Sequence, residues 1–107
     1  MATFYREVRR NPPTERDFLS YKSLGRRLPV DTPEMRRSWE GVSVRSTLAA
    51  ARDLAHGAPR IGAFIAVMEI EDDGPVRVEK TGANPTHYDL HGEAGDLLAA
   101  VVAVFPA

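Results

Sequence analysis

Four groups of residues have types and spacings that could do chemistry. Arg6 lies between Phe4 and Val8 in a run, Thr3 to Val8, that alternates as a strand does. If the Phe4 and Val8 side is the core side, a guanidinium enters it, and an unpaired buried charge costs several kcal/mol. Such a residue takes an anionic partner, either Glu7 or Glu40 of the fold or a ligand phosphate. If Tyr5 faces inward instead, Arg6 snorkels to water. Ser43 and Arg45 alternate with Val42 and Val44, so a half-buried strand presents a hydroxyl and a guanidinium on one face. Ser46 or Thr47 then caps a helix with the stripe Leu48, Ala51, Leu54 and Ala55, ended by Gly57 and Pro59. At such a junction, helix N–H groups and the helix dipole favour an anion such as a phosphate.

His87, Asp89 and His91 stand at every second residue, so on a strand all three share one face, with Tyr88 and Leu90 on the other. A metal could take two of them, but a catalytic zinc takes three protein ligands. No metal is expected, and the spacing predicts the solvent face of a half-buried strand. His87 could also carry a proton, because an unperturbed histidine titrates near neutrality. Glu93 and Asp96 lie in Gly92-Glu93-Ala94-Gly95-Asp96, a turn where a carboxylate can orient a ribose or stabilise a developing cation, or simply face water as a turn former. Trp39, the only tryptophan, is expected over a sheet edge. A Gly-rich phosphate loop, a nucleophile elbow and a zinc ribbon are absent.

The elements that must position these residues can be read from local signals. After the first strand, Asn11-Pro12-Pro13 breaks the chain, and Thr14 with Asp17 forms a variant capping box for a helix carrying Phe18, Tyr21 or Leu24 inward. Arg26 and Arg27 fall in a loop. Thr32 caps a second short helix, Pro33 to Trp39, with proline in its first turn. Beyond the junction helix, Ile61 to Ile70 is apolar on both faces and should be a central strand. Glu71 to Pro75 turns into a strand at Val76 to Lys80, read as a hairpin with the strand before it, Val76 and Val78 inward. Thr86 to His91 is a short strand, and Leu97 to Phe105 a last strand buried on both faces. The order β-α-α-β-α-β-β-β-β predicts one compact α+β domain over residues 1–107, with a mainly antiparallel sheet and two to three helices.

With 43% hydrophobic and 27% charged residues, the 107-residue chain is globular in composition. The absence of cysteine excludes a disulfide framework and a thiolate nucleophile or metal ligand. Its longest apolar run is too short to span a bilayer, and its first residues carry no apolar leader, so a cytoplasmic protein is expected. The net charge of −1 conceals an asymmetry of +5 over residues 1–60 against −6 over residues 61–107. If the halves occupy different faces, the basic side could receive a nucleotide, a nucleic acid or an acidic protein. If they interleave, the charges neutralise each other.

The ordered set of Arg6 on a first strand, Ser43 on a strand entering a helix, and Glu93 or Asp96 before the last strand resembles ADP-ribosyltransferase-like folds, including the RES toxin domains. The resemblance implies that Phe4-Tyr5-Arg6 supplies an arginine that contacts NAD and that Gly41 to Thr47 supplies the hydroxyl strand shaping the nicotinamide pocket. It also implies that Gly92 to Asp96 supplies the acid that contacts ribose and promotes glycosidic cleavage. Arg6, Ser43 and Glu93 or Asp96 would then be catalytic, with Arg6, Ser43, Arg45 and His87 holding NAD. The domain is small for that fold, and Ser43-Val44-Arg45-Ser46 stands where the family has a Ser-Thr-Ser run. The words FYR, NPPT-x-x-DF, WEG-x-SV and HY-x-L-x-G also resemble those of small bacterial proteins to which no activity is attached. Two functions follow: an NAD-binding or NAD-cleaving domain, as in a toxin encoded beside its antitoxin, or a non-catalytic regulator whose basic first half docks an acidic protein or nucleic acid.

Overall fold

A computed structural model describes residues 1–107. Six strands form one sheet: β1 (Ala2–Val8), β2 (Val42–Arg45), β3 (Phe64–Ile70), β4 (Arg77–Lys80), β5 (His87–His91) and β6 (Val101–Pro106). Three α-helices accompany them, α1 (Pro33–Glu40), α2 (Leu48–Gly57) and α3 (Ala94–Ala99), with 3-10 turns at Glu15–Phe18 and Pro59–Ile61. The strand order is β4-β5-β2-β1-β3-β6, with every neighbouring pair antiparallel. This is the α+β, mainly antiparallel domain expected, with its elements in the expected succession.

The helix caps work as local chemistry requires. Thr47 Oγ1 accepts from the Ala50 N–H at 3.2 Å, and Thr32 Oγ1 from the Met35 N–H at 3.2 Å. Each satisfies an N–H that has no partner within the helix. Asp17 accepts the Thr14 N–H at 3.0 Å and the Arg9 N–H at 2.9 Å, tying the end of β1 to the 3-10 turn. That turn stops at Phe18, so Phe18 alone of the three expected side chains is buried, while Tyr21 and Leu24 are exposed.

Alternation along each strand sorts side chains into two layers. On one face, Phe4, Val8, Val42, Val44, Ala66, Met68, Ile70 and Leu90 form the main core, closed by Phe18 from the 3-10 turn, Val76 and Leu97 of α3. On the other, α2 lays Ala51 and Ala55 over Ile65, with Tyr5 and Phe105 beside them. Gly62 permits close approach to β1, since a Cβ there would stand 2.5 Å from the Val8 carbonyl oxygen.

Three expectations are corrected. β3 makes no hairpin with β4, because β1 and β6 take both its edges, and β4 pairs with β5 at the far side of the sheet. Val76 is buried as expected, but Val78 on that edge strand is exposed. The run Leu97 to Phe105 divides between the end of α3 and β6, and β6 is an edge strand with Val102 56% exposed.

Candidate functional site

α2 packs against β1 and, through Ala51 and Ala55, against Ile65 of β3, and touches β2; on the same face β2 and β5 carry polar side chains. β2 pairs with β5 so that Ser43 opposes Asp89 and Arg45 opposes His87, while Tyr5 of β1 opposes Arg45 from the other side. Ser43, Arg45, His87, Asp89, His91 and, from β1, Glu7 therefore share one face. Gly41 lets β2 and β5 close here, as a Cβ would lie 2.8 Å from the Asp89 Cβ and 3.0 Å from His91 Cε1.

The expected solvent face at His87, Asp89 and His91 is not found. Asp89 is 2% exposed, and its Oδ2 accepts from Ser38 Oγ at 3.0 Å and Thr81 Oγ1 at 2.7 Å. Ser43 Oγ lies 2.9 Å from His87 Nε2, and His87 Nδ1 lies 3.0 Å from Thr81 Oγ1 and 3.2 Å from the Thr81 carbonyl oxygen. Asp89 Oδ1 stands 4.0 Å from His87 Nε2. His91 Nε2 meets Glu79 Oε1 at 3.1 Å, and Glu79 Oε2 forms an ion pair with Arg37 Nε at 3.1 Å. Burial of this strand face follows from α1, whose Ser38 reaches over β5, and from the loop after β4, which brings Thr81. No group of three or more histidine, aspartate or glutamate side chains converges as a metal-ligand set.

Two charged groups on this face stand apart from the network. Arg45 is half-buried at the end of β2 and makes no hydrogen bond or ion pair. Glu7 is 7% exposed, and its Oε1 has no hydrogen-bond partner. Burial pushes the Glu7 carboxyl above the usual carboxylate range, against the opposing pull of Arg6, Arg45 and His87.

Arg6 takes the core face with Phe4 and Val8, one of the two arrangements open in the sequence. Its partner is not an anion. Nε donates to the Asp17 carbonyl at 2.7 Å and Nη1 to the Ser43 carbonyl at 2.6 Å, so the guanidinium ties the 3-10 turn to β2. Burial pushes Arg6 below its ordinary value, with Glu7 and then Asp17 acting in the opposite direction. Glu93 and Asp96 begin α3, which packs its Leu97 into the main core, on the opposite side of the sheet from Ser43 Oγ. The structure thus gathers the side chains of Ser43, Arg45 and His87 on one face; Arg6 reaches only the Ser43 backbone, from the other face, and Glu93 and Asp96 belong to the other layer. The carboxylates on their face are Asp89, Glu79 and Glu7, and of these Glu7 has an oxygen without a hydrogen-bond partner.

Sequence reasoning did not single out Thr81, Ser38 or Glu7 as site residues. Glu7 had a usable signal, because placing Arg6 inward by alternation sends its neighbour to the opposite face. Thr81 and Ser38 had none. Trp39, in α1, donates its indole N–H to the Arg26 carbonyl at 2.8 Å, with Lys22 5.5 Å over its ring. A cavity of about 490 Å³ lies elsewhere, lined by Ala2, Ile70, Val76 and Arg77 among others, and holds none of these groups. Comparison with family models, curated proteins and solved structures gave no match.

Proposed function

We propose that the polar face at the end of β2, beside α2, binds a phosphate-bearing nucleotide of the NAD class, with Arg45 as the anion contact and Ser43 and His87 beside it. The observation that carries this reading is Arg45: a half-buried guanidinium that makes no side-chain hydrogen bond or close ion pair, with Glu7 as the carboxyl its charge reaches, on the face of the Ser43–His87 pair. It lies two residues before Thr47, the cap of a ten-residue helix whose first N–H groups add positive potential. Charge-assisted hydrogen bonds to phosphate contribute roughly 1.5–3 kcal/mol each. The assignment departs from the resemblance in two respects: Arg6 is committed to backbone carbonyls, and the acid of the Gly92 to Asp96 turn belongs to the other layer. The reading is therefore of nucleotide binding alone, with no cleavage step assigned to Arg6, Glu93 or Asp96.

Calorimetry with NAD, ADP-ribose and AMP tests it. Binding is expected at millimolar concentration or tighter, with Arg45→Ala weakening it about tenfold or more, since ~1.4 kcal/mol is a factor of ten. No heat with any of the three would overturn the reading.

The acidic-partner reading keeps one specific support. Tyr21, Leu24, Val30 and Met35 are exposed within one stretch that also exposes Lys22, Arg26, Arg27, Arg36 and Arg37, and α1 buries no residue. Apolar side chains among cations suit an acidic segment with hydrophobic anchors. Trp39, held to Arg26 at the edge of this stretch, reports on it by fluorescence when an amphipathic Glu/Leu peptide is titrated. A response that falls with added salt is expected, and no response at low salt removes this reading.

A further inference from the structure

The hydrogen bonds around His87 determine where its proton sits, and the result bears on reactivity. Thr81 has one hydroxyl hydrogen, and at 2.7 Å from Asp89 Oδ2 it is given to the carboxylate, which can only accept. Toward His87 Nδ1, 3.0 Å away, Thr81 Oγ1 is therefore an acceptor, and so is the Thr81 carbonyl at 3.2 Å. Nδ1 must carry the proton. In the neutral imidazole Nε2 then holds a lone pair, and the Ser43 hydroxyl 2.9 Å away donates to it. Ser38 Oγ holds the same carboxylate oxygen at 3.0 Å, so Asp89, buried to 2% exposure, is fixed from two sides.

This is the tautomer in which an imidazole removes a serine proton, with a carboxylate orienting it through one intervening hydroxyl. We propose that Ser43 is an activated nucleophile and His87 its general base, and that this cluster transfers the acyl group of a carboxylic ester to water. The proposal does not rest on nucleotide binding.

Ser43 Oγ forms a bond to the acyl carbon as its proton passes to His87 Nε2. The imidazolium so formed has Asp89 Oδ1 at 4.0 Å, an opposite charge that stabilises it. Arg45, the next residue on the same strand face and unpaired, supplies positive charge for the oxyanion. Collapse breaks the ester C–O bond, and Nε2 returns its proton to the departing alkoxide. Water, deprotonated by the same nitrogen, then releases the carboxylic acid and regenerates Ser43. The site is reachable, since the His87 side chain is 21% exposed. Ser43 and His87 are the catalytic residues, and Thr81 and Asp89 position the imidazole.

A fluorophosphonate reagent tests this, because an activated serine forms an Oγ–P bond with it and expels fluoride. Peptide mapping of the labelled full chain should find a single adduct, on Ser43, and none in Ser43→Ala. His87→Gln should slow labelling by roughly 10²- to 10⁴-fold, the usual contribution of a general base. Thr81→Ser, which keeps the hydroxyl, should label like the wild type, whereas Thr81→Val should lose tenfold or more with its circular dichroism unchanged. Absence of a Ser43 adduct on the folded wild type, which needs no variant to fold, would overturn the proposal. An equal labelling rate in folded His87→Gln would also overturn it. Calorimetry reads the nucleotide site and mass spectrometry reads the nucleophile, so either reading can fail alone.

Discussion

Replacing Glu7 should stabilise the protein, and by an amount that depends on pH in a fixed sense. The carboxyl is 7% exposed with Oε1 unpartnered, and desolvation is the largest influence on it, exceeding the attraction of Arg6, Arg45 and His87. Its folded pKa therefore lies above the ordinary 4.5. A group raised in this way binds its proton more tightly in the folded state, so stability is full below about 4.5 and declines as pH rises through the folded value. Glu7→Gln removes the charge and retains the shape. Its gain over the wild type should be near zero below pH 4.5, grow above that, and level off once the wild-type carboxyl is fully ionised. Glu7→Met also removes the orphan acceptor, for which the burial penalty is about 1–3 kcal/mol. At pH 7 that amounts to a melting temperature raised by about 4–8 °C per kcal/mol in a domain near this size. Urea unfolding of the three proteins between pH 4 and 8 measures both effects. A Glu7→Met protein less stable than the wild type at pH 7, or a Glu7→Gln gain independent of pH, would refute the reasoning.

Two further changes test the packing that holds the site. Gly62→Ala places a Cβ 2.5 Å from the Val8 carbonyl oxygen and 2.7 Å from its nitrogen, so backbone must move, and denaturant titration should record a loss of about 1–3 kcal/mol. A change within about 0.5 kcal/mol, the range of an ordinary surface substitution, would show that the approach is looser than this. Asp17→Ala leaves the Arg9 and Thr14 N–H groups without their 2.9 and 3.0 Å acceptor, and should lower stability by about 2 kcal/mol or more while hydrogen exchange quickens at those two amides. Unchanged exchange there would mean that another group takes over the cap.

What the sequence determined by itself was local. Thr32 and Thr47 cap helices because a side-chain oxygen three residues before a free N–H can reach it whatever the rest of the chain does. Val42 and Val44 turn inward with Ser43 and Arg45 outward because strand geometry alternates. The shared face of Ser43, Arg45 and His87 depends on that alternation and on a single strand pairing. Only the tertiary structure decided which strands are neighbours, since β1 and β6 compete with β4 for the edges of β3 and alternation carries no record of the winner. It also decided the fate of Asp89. The spacing of His87, Asp89 and His91 is that of a solvated face, but Ser38, 51 residues away, and Ser43, 44 residues from His87, meet them across the sheet. For Arg6 the alternation left two faces open, and the fold chose the core face and satisfied the guanidinium with two backbone carbonyls instead of an anion. Periodicity and caps act over three or four residues and are written into the order of side chains. The proton on His87 Nδ1, by contrast, is held by contacts that exist only once β2, β5 and the loop bearing Thr81 have come together.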